Sequence, residues 1–591
     1  MQIDKAALFF RPGLRHRKSR RPFLPAALAL ALALPLSACG AGDGHMASGS
    51  SRGGYELDSP YGNFLAARHA RLLNDNATAA KYYLRALEED PNNALLAQGA
   101  FLTLIADGRV AEAVTLTPAL RAHNSADYLP RMAQASAMML ARDYDGILQL
   151  VNEGPSGGIN AAFNPLLSAF AYAGKGEADQ AIANLDKLER HPLLSGVHAH
   201  LKPLLLDLLG QTDAAAAAYR RAIEGRERAG TRLVDAYARF LERQGRRDEA
   251  RSLLTEQMAL NPDNPVLQHA LRMLNTPNAH PAEPLLGNAV DGLAEAMFAS
   301  ASALGRSDGG ELAELHLQLA LFLRPDLDDA RMLLADIYES REQWDEALAT
   351  YSKISPASAY AESAQLRSAW CINELGRTEE AERILRNIVK TDPTSPRALL
   401  TLADMERQME NWSAAVKDYT AALARIPKIE TRHWTIFFGR GVANERAQNW
   451  QQAEADMLKA LELQPDQPLV LNYLGYSWID RNVNIERGTQ MIERAVALRP
   501  NDGAVVDSLG WALYRQGRYA EAVVQLERAV ELKGGDAVIT DHLGDAYWRV
   551  GREEEARFQW RRALGLKPDH DLAVQVQRKL DRGLNPVASK N

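Results

Sequence analysis

The chain of 591 residues has only two cysteines, Cys39 and Cys371, too few for a disulfide framework. It also lacks any long cluster of Lys and Arg, with 68 basic against 75 acidic side chains and a formal charge of −7. Residues 1–38 hold seven Lys/Arg against the single acid Asp4, so removing them takes the charge to −13. Phosphate attraction supplies most non-specific nucleic-acid affinity, and a chain this acidic is excluded as a nucleic-acid binder. Aromatics are sparse at 7%, and beyond the N-terminus no run approaches the roughly eighteen consecutive apolar residues of a membrane span. Catalytic signatures are missing as well: there is no HExxH, no GxSxG, no Walker loop and no dinucleotide glycine fingerprint. These absences argue against an enzyme and imply no cofactor. What is present is abundant Ala and Leu within 46% hydrophobic and 24% charged residues, the profile of a helical folded protein.

The N-terminus reads as an address rather than a fold. Arg15, Arg17, Lys18, Arg20 and Arg21 precede the apolar run Phe23 to Leu36, which is short for a permanent span and has the order of regions of a signal peptide. The run ends in Leu36-Ser37-Ala38-Cys39, which resembles the bacterial lipobox. Residues 1–38 are therefore expected to be a lipoprotein signal peptide and Cys39 the lipidated residue. Ser19 to Leu24 (SRRPFL) also resembles a twin-arginine export motif, but the strongly hydrophobic Ala/Leu core favours the general secretory route. Residues 39–59 are rich in Gly and Ser and read as a flexible tether. Gly40, rather than Asp, after the lipidated position points to the outer membrane, facing the periplasm.

The body is one motif repeated. Leu543-Gly544, Tyr547, Gly551, Ala556, Trp560, Ala563 and Pro568 resemble the tetratricopeptide pattern, and Leu509-Gly510, Leu513, Gly517, Ala522, Leu526 and Ala529 repeat it 34 residues upstream. The small residue of the first helix recurs as Gly475, Gly441, Ala403, Ala369, Ala335 and Ala301, and the same register continues more faintly through Ala238, Pro203, Ala169, Ala135, Phe101 and Ala67. The fold expected is an all-α tetratricopeptide-repeat superhelical solenoid in two segments. Segment 1 covers 60–275 with six repeats, the third and fifth degenerate, and segment 2 covers 291–570 with eight. The three prolines of 276–290 suggest a joint between them. Residues 571–591 are expected to form a capping helix and tail.

Three local clusters invite a chemical reading. His191, His198 and His200 are close enough in sequence to suggest a metal, but surface-loop histidines are the simpler expectation, and no metal site is assigned. Asp480 to Asn484 begins like a calcium loop, yet Ile485 stands where such a loop needs Gly, so an inter-helix turn is expected. Cys371 falls inside a repeat helix and reads as a small buried hydrophobe.

A third feature of the repeats concerns binding. One step along from the small residue of each first helix runs a stripe that, in tetratricopeptide proteins, lines the concave surface. It reads Asn472 and Tyr476, then Asp507, Trp511 and Tyr514, then Asp541, Asp545 and Trp548, edged by Arg515 and Arg549. Aromatic and Arg side chains bordered by carboxylates are the composition of binding hot spots. The alternative for Trp511 and Trp548 is ordinary packing between successive helices. The Asp and Asn members are expected to keep some exposure, because carboxylates are seldom fully buried.

With its lipobox, its fourteen-unit layout and the segments Asp507–Tyr519 (DSLGWALYRQGRY) and Asp541–Trp548 (DHLGDAYW), the chain resembles a proteobacterial family of tetratricopeptide outer-membrane lipoproteins. That resemblance implies a non-catalytic scaffold, attached to the membrane by its lipid. It would bind a periplasmic carboxyl-terminal processing serine protease and bring it protein substrates, peptidoglycan cross-link hydrolases among them. A scaffold for an envelope-assembly or exopolysaccharide-export machine is the other reading the same features allow.

Overall fold

The computed structural model describes residues 59–123, 128–224, 230–276, 282–304 and 310–584. Lipidation of Cys39 and the tether up to residue 58 therefore lie outside the described residues. Among the described residues there is no strand, and helices follow one another in antiparallel pairs from Pro60–Leu72 with Asn76–Glu89 to Ala537–Arg549 with Glu553–Gly565. The fold is an all-α array of helical hairpins.

Each hairpin is specified locally. Acceptors at the helix starts satisfy the free backbone donors: Asp75 takes the N–H of Thr78, Asn264 those of Val266 and Leu267, and Asp536 those of Val538 and Ile539. The turns inside the hairpins, where they are described, hold a left-handed residue. Gly517 and Gly551 supply it at no steric cost, whereas Arg142, Glu342, Glu410 and Gln448 hold the same conformation despite their side chains. The stretch after Asp480 is such a turn: it joins helices Pro468–Asp480 and Ile485–Leu498, with Asn482 and Asn484 left-handed. Close approach then depends on small residues. A Cβ on Gly475 would lie 2.6 Å from the Gly488 carbonyl, and one on Gly544 would lie 3.2 Å from that of Ala556.

The chain divides into two compact units, one ending at Arg377 and the other beginning at Thr378. The boundary is not at the proline-rich stretch 276–290, of which residues 277–281 lie outside the described ones. After that stretch the chain returns to the first array instead of starting a separate one. Helix Ala289–Leu304 packs on Asn160–Lys175 and Ser195–Leu208, and helix Gly310–Leu323 packs on Ala94–Ala106 and Tyr128–Leu140. These four are all first helices of their hairpins, so the returning pair covers the inner face of the array. The sequence carries the reason: both returning helices are apolar nearly all round, as helices buried on every side must be.

Contacts across this face are specific. Gly292 lies against the Phe170 ring, where a Cβ would collide. His316 lies tilted against Phe163, with ring centroids 5.2 Å apart. Glu295, wholly buried, accepts hydrogen bonds from Arg232 and lies 2.8 Å from His200 Nε2, while Arg232 also pairs with Asp329. The Arg232 and His200 partners hold the Glu295 carboxyl well below the usual range although burial opposes its charge. As a result the N-terminal unit has a large continuous apolar core from Ala80 to Cys371 beside a small one under its first helices, whereas the C-terminal unit has several smaller ones, each bridging neighbouring hairpins. Cys371 is fully buried, and burial pushes its thiol up to about 12, which makes it a hydrophobe rather than a nucleophile.

Candidate protein-binding face

The predicted stripe lies on three successive first helices of the C-terminal unit, Pro468–Asp480, Gly503–Arg515 and Ala537–Arg549. The structure corrects the expectation about its polar members: Asn472, Asp507, Asp541 and Asp545 are all buried, as are Tyr476 and Trp511. The reason is the stacking of first helix on first helix, which turns this stripe toward the next repeat. Asp507 lies 2.9 Å from Nδ1 of His542, one repeat on, and Trp511 stacks on the same imidazole with centroids 4.2 Å apart.

At the end of the array the helix His570–Arg582 takes the place of a further repeat. Its Lys579 donates to Asp541 at 2.7 Å and to Asp545 at 2.8 Å. Asp545 also accepts from the indole N–H of Trp560 at 3.0 Å. Fifteen residues separate that pair, the same spacing as in the hydrogen bonds of Tyr351 to Asp336 and of Tyr419 to Asp404. Asp545 is thus a packing residue common to several repeats, a role that this sequence spacing already contained.

The electrostatics follow from burial. Loss of solvent and the neighbouring Asp545 charge push the Asp541 carboxyl up to about 6, against the pull of Lys579. Burial disfavours a charged His542, but the Asp507 carboxylate outweighs it and raises the imidazole above its ordinary value. Burial also raises the hydroxyls of Tyr476 and Tyr514.

The edge of the stripe is open. Arg515 is exposed and reaches Asp480 at 3.5 Å; Tyr514, Trp548 and Arg549 are half-buried, and Arg549 donates to the Tyr514 hydroxyl at 3.2 Å. Behind this edge, the side-chain amide of Asn472, the Tyr476 hydroxyl and the Trp511 indole N–H are buried without a hydrogen-bonding partner from the chain. A buried polar group left without any partner costs about 1–3 kcal/mol, so these are the positions of the stripe where a partner's polar group would gain most.

The histidine trio does not converge. His198 and His200 lie on helix Ser195–Leu208, not in a loop as expected, because that helix begins before them; they pair with Asp186 and Glu295 respectively. Among the described residues no group of His, Cys, Asp and Glu is placed to hold a metal, and no helix is long and apolar enough to cross a membrane.

Comparison with known proteins agrees with this architecture. Tetratricopeptide-repeat profiles match residues 234–266, 330–357, 363–395, 400–468, 505–533 and 541–570. These stretches are tetratricopeptide repeats. The chain is similar to the TPR repeat-containing protein PA4667 of Pseudomonas aeruginosa, with 28% identity over 204 residues, 33% of this chain. The match spans about a third, 32%, of that relative's length. Among solved structures it is similar to the APC/C hetero-tetramer Cut9–Hcn1, at 17% identity and a TM-score of 0.37, covering 90% of this chain and 99% of that one. It is also similar to YrrB, a TPR protein with an unusual peptide-binding site, at 20% identity and a TM-score of 0.27, covering 33% of this chain and 97% of that one.

Proposed function

We propose that the protein is a non-catalytic adaptor, lipidated at Cys39 and held on the periplasmic side of the outer membrane. It binds a carboxyl-terminal processing serine protease and presents that enzyme with its protein substrates. The sequence resembles LbcA, the lipoprotein adaptor of the protease CtpA, and the reading of partner and compartment rests on that resemblance. The observation that carries a binding role is the row of Asn472, Tyr476 and Trp511. Their polar atoms are left unpartnered behind an edge of Tyr514, Arg515, Trp548 and Arg549, on the stripe proposed as the binding face. Helical hairpins supply surface and no reacting group, so the chemistry belongs to the protease.

Bringing two partners together suffices as a mechanism. Simultaneous engagement raises effective concentration and can increase capture roughly 10²–10⁴-fold where geometry allows it. The test is reconstitution of the purified full-length mature chain with protease and a cross-link hydrolase. Faster cleavage of the hydrolase is expected, with Asn472→Leu and Trp511→Leu lowering protease binding while helicity is unchanged. An unchanged cleavage rate and binding of neither partner would remove the adaptor reading. Co-purification of pore or synthase components in place of the protease would favour an envelope-assembly scaffold.

A further inference from the structure

The opening helix Pro60–Leu72 buries only one side. Asn63, Ala67 and Ala70 face the array, while Tyr61, Leu65 and Leu72 are 82%, 63% and 79% exposed, followed by Leu73 at 66%. Positions 61, 65, 68 and 72 fall on one face at helical spacing, so Arg68 stands inside the apolar stripe. Arg68 is exposed, and its guanidinium lies over the half-buried Phe64 ring, 5.7 Å from its centroid. In a chain of net negative charge, residues 60–73 contain Arg68, His69 and Arg71 and no carboxylate. Arg71 is engaged with Glu311 at 2.8 Å, which leaves Arg68 as the outward charge.

We infer that this face rests on the lipid bilayer. Tyr and Leu with a snorkelling Arg, on an acid-free helix, form the composition of a helix lying in a membrane interface, where apolar side chains enter the headgroup boundary and the cation meets anionic lipid. Chain length supports the same occupant. Twenty residues separate Cys39 from the start of the helix, so the anchor keeps this face within about 70 Å of the membrane at full extension. With the anchor holding it that near the surface, weak surface affinity is enough to hold the first repeat down. A second copy of the chain fits less well. A helix of 13 residues is about 20 Å long and 10 Å wide, which offers far less than the roughly 800 Å² per partner of a stable protein interface. The face would thus orient the array on the surface to which the lipid attaches it.

This inference rests on lipidation of Cys39, part of the adaptor reading, and its test separates the two. The full lipidated chain is placed in proteoliposomes of phosphatidylethanolamine and phosphatidylglycerol, with an environment-sensitive fluorophore on Leu65→Cys, and separately on Leu193→Cys as an exposed control. The buried Cys371 does not compete for label. Nitroxide lipids are expected to quench the label at 65 and not at 193. In the unlipidated Cys39→Ala chain, flotation with the same vesicles should fall about tenfold or more for L65E, and Arg68→Gln should flatten its salt dependence. A lipidated chain whose two labels are quenched alike overturns the inference and leaves the adaptor reading standing. Label-to-label proximity without quenching overturns it in favour of a second copy. Failure of a fatty-acid probe to label Cys39 removes the anchor, and the inference with it.

Discussion

The ammonium of Lys579 lies 2.7 Å from a carboxylate oxygen of Asp541, both nearly inaccessible to solvent, at the contact between the terminal helix and the last repeat. The same ammonium serves Asp545, so one cation neutralises two buried carboxylates. A cap of this kind is an electrostatic lock rather than a greasy lid: Val576 is the helix's single fully buried side chain. Lys579→Met should therefore cost about 3–5 kcal/mol, because it leaves buried charge without its partner. Urea unfolding of the full chain, followed by hydrogen exchange in 541–548, checks it. A wild-type profile would show that the cap is held by other contacts.

The same cluster sets a pH dependence. A carboxyl raised to about 6, like that of Asp541, binds a proton more readily folded than unfolded, and so does the raised imidazole of His542. Both contributions grow as pH falls, that of His542 being complete in mild acid and that of Asp541 only below the ordinary carboxylate range, and both disappear as pH rises through the folded values. Asp536, lowered by Lys533 despite its burial, works the other way and loses its contribution in stronger acid. The last repeats should thus be more stable near pH 5 than near pH 8, by on the order of 2 kcal/mol, and Asp541→Asn should remove most of the difference. Exchange protection of 537–549 at the two pH values measures it; equal protection in the wild type would contradict the assignment.

Much of this architecture is legible in the sequence, and what is not has a physical cause. Gly544, Gly551 and Ala556 announce the hairpin because close approach and a left-handed turn each exclude most residue types. Interactions between repeats leave no such mark. Asp507 and Asp541 look like surface acids until His542 and Lys579, 35 and 38 residues further on, are seen to bury them. The return of 289–323 to the first array is hidden in the same way. Three prolines signal a break at 276–290 but not where the chain goes afterwards. The clue was the absence of a polar face on both returning helices, which a repeat count does not register.

Left-handed turns give a prediction of opposite sign. Gln448 and Glu410 hold φ values of 65° and 64° in turns where other repeats use Gly. A left-handed residue with a Cβ costs roughly 1–2 kcal/mol, partly offset by the greater freedom glycine has when unfolded. Gln448→Gly and Glu410→Gly should each stabilise by about 0.5–1 kcal/mol, read as a rise in thermal midpoint by circular dichroism. Destabilisation would mean that these side chains make contacts outweighing the strain.

Close helix approach supplies the converse test. Ala556 is fully buried, and its carbonyl lies where a Cβ on Gly544 would crowd it. Ala556→Trp overfills that contact, and Gly475→Ala would drive a methyl to 2.6 Å from the Gly488 carbonyl. Each should cost on the order of 1–3 kcal/mol or more. Melting like the wild type would dismiss the helix register built on these positions.

The final prediction uses the returned hairpin to locate the binding face. Helices Ala289–Leu304 and Gly310–Leu323 already cover the inner face of the first array, where the Phe170 ring leaves no space for a side chain on Gly292. A partner using that face would have to displace apolar helices and expose Glu295 and Arg232, whose mutual neutralisation depends on the hairpin staying in place. Displacement would cost more than a modest interface returns, so the partner is expected to bind the C-terminal unit. Gly292→Leu should then loosen the hairpin, raising hydrogen exchange in 163–171 and 289–301. Protease capture by the full chain should persist, and Trp511→Leu should weaken capture while leaving exchange in 163–171 unchanged. If Gly292→Leu instead abolishes or strengthens capture and Trp511→Leu does neither, the binding face belongs to the first array and the hairpin is its internal competitor.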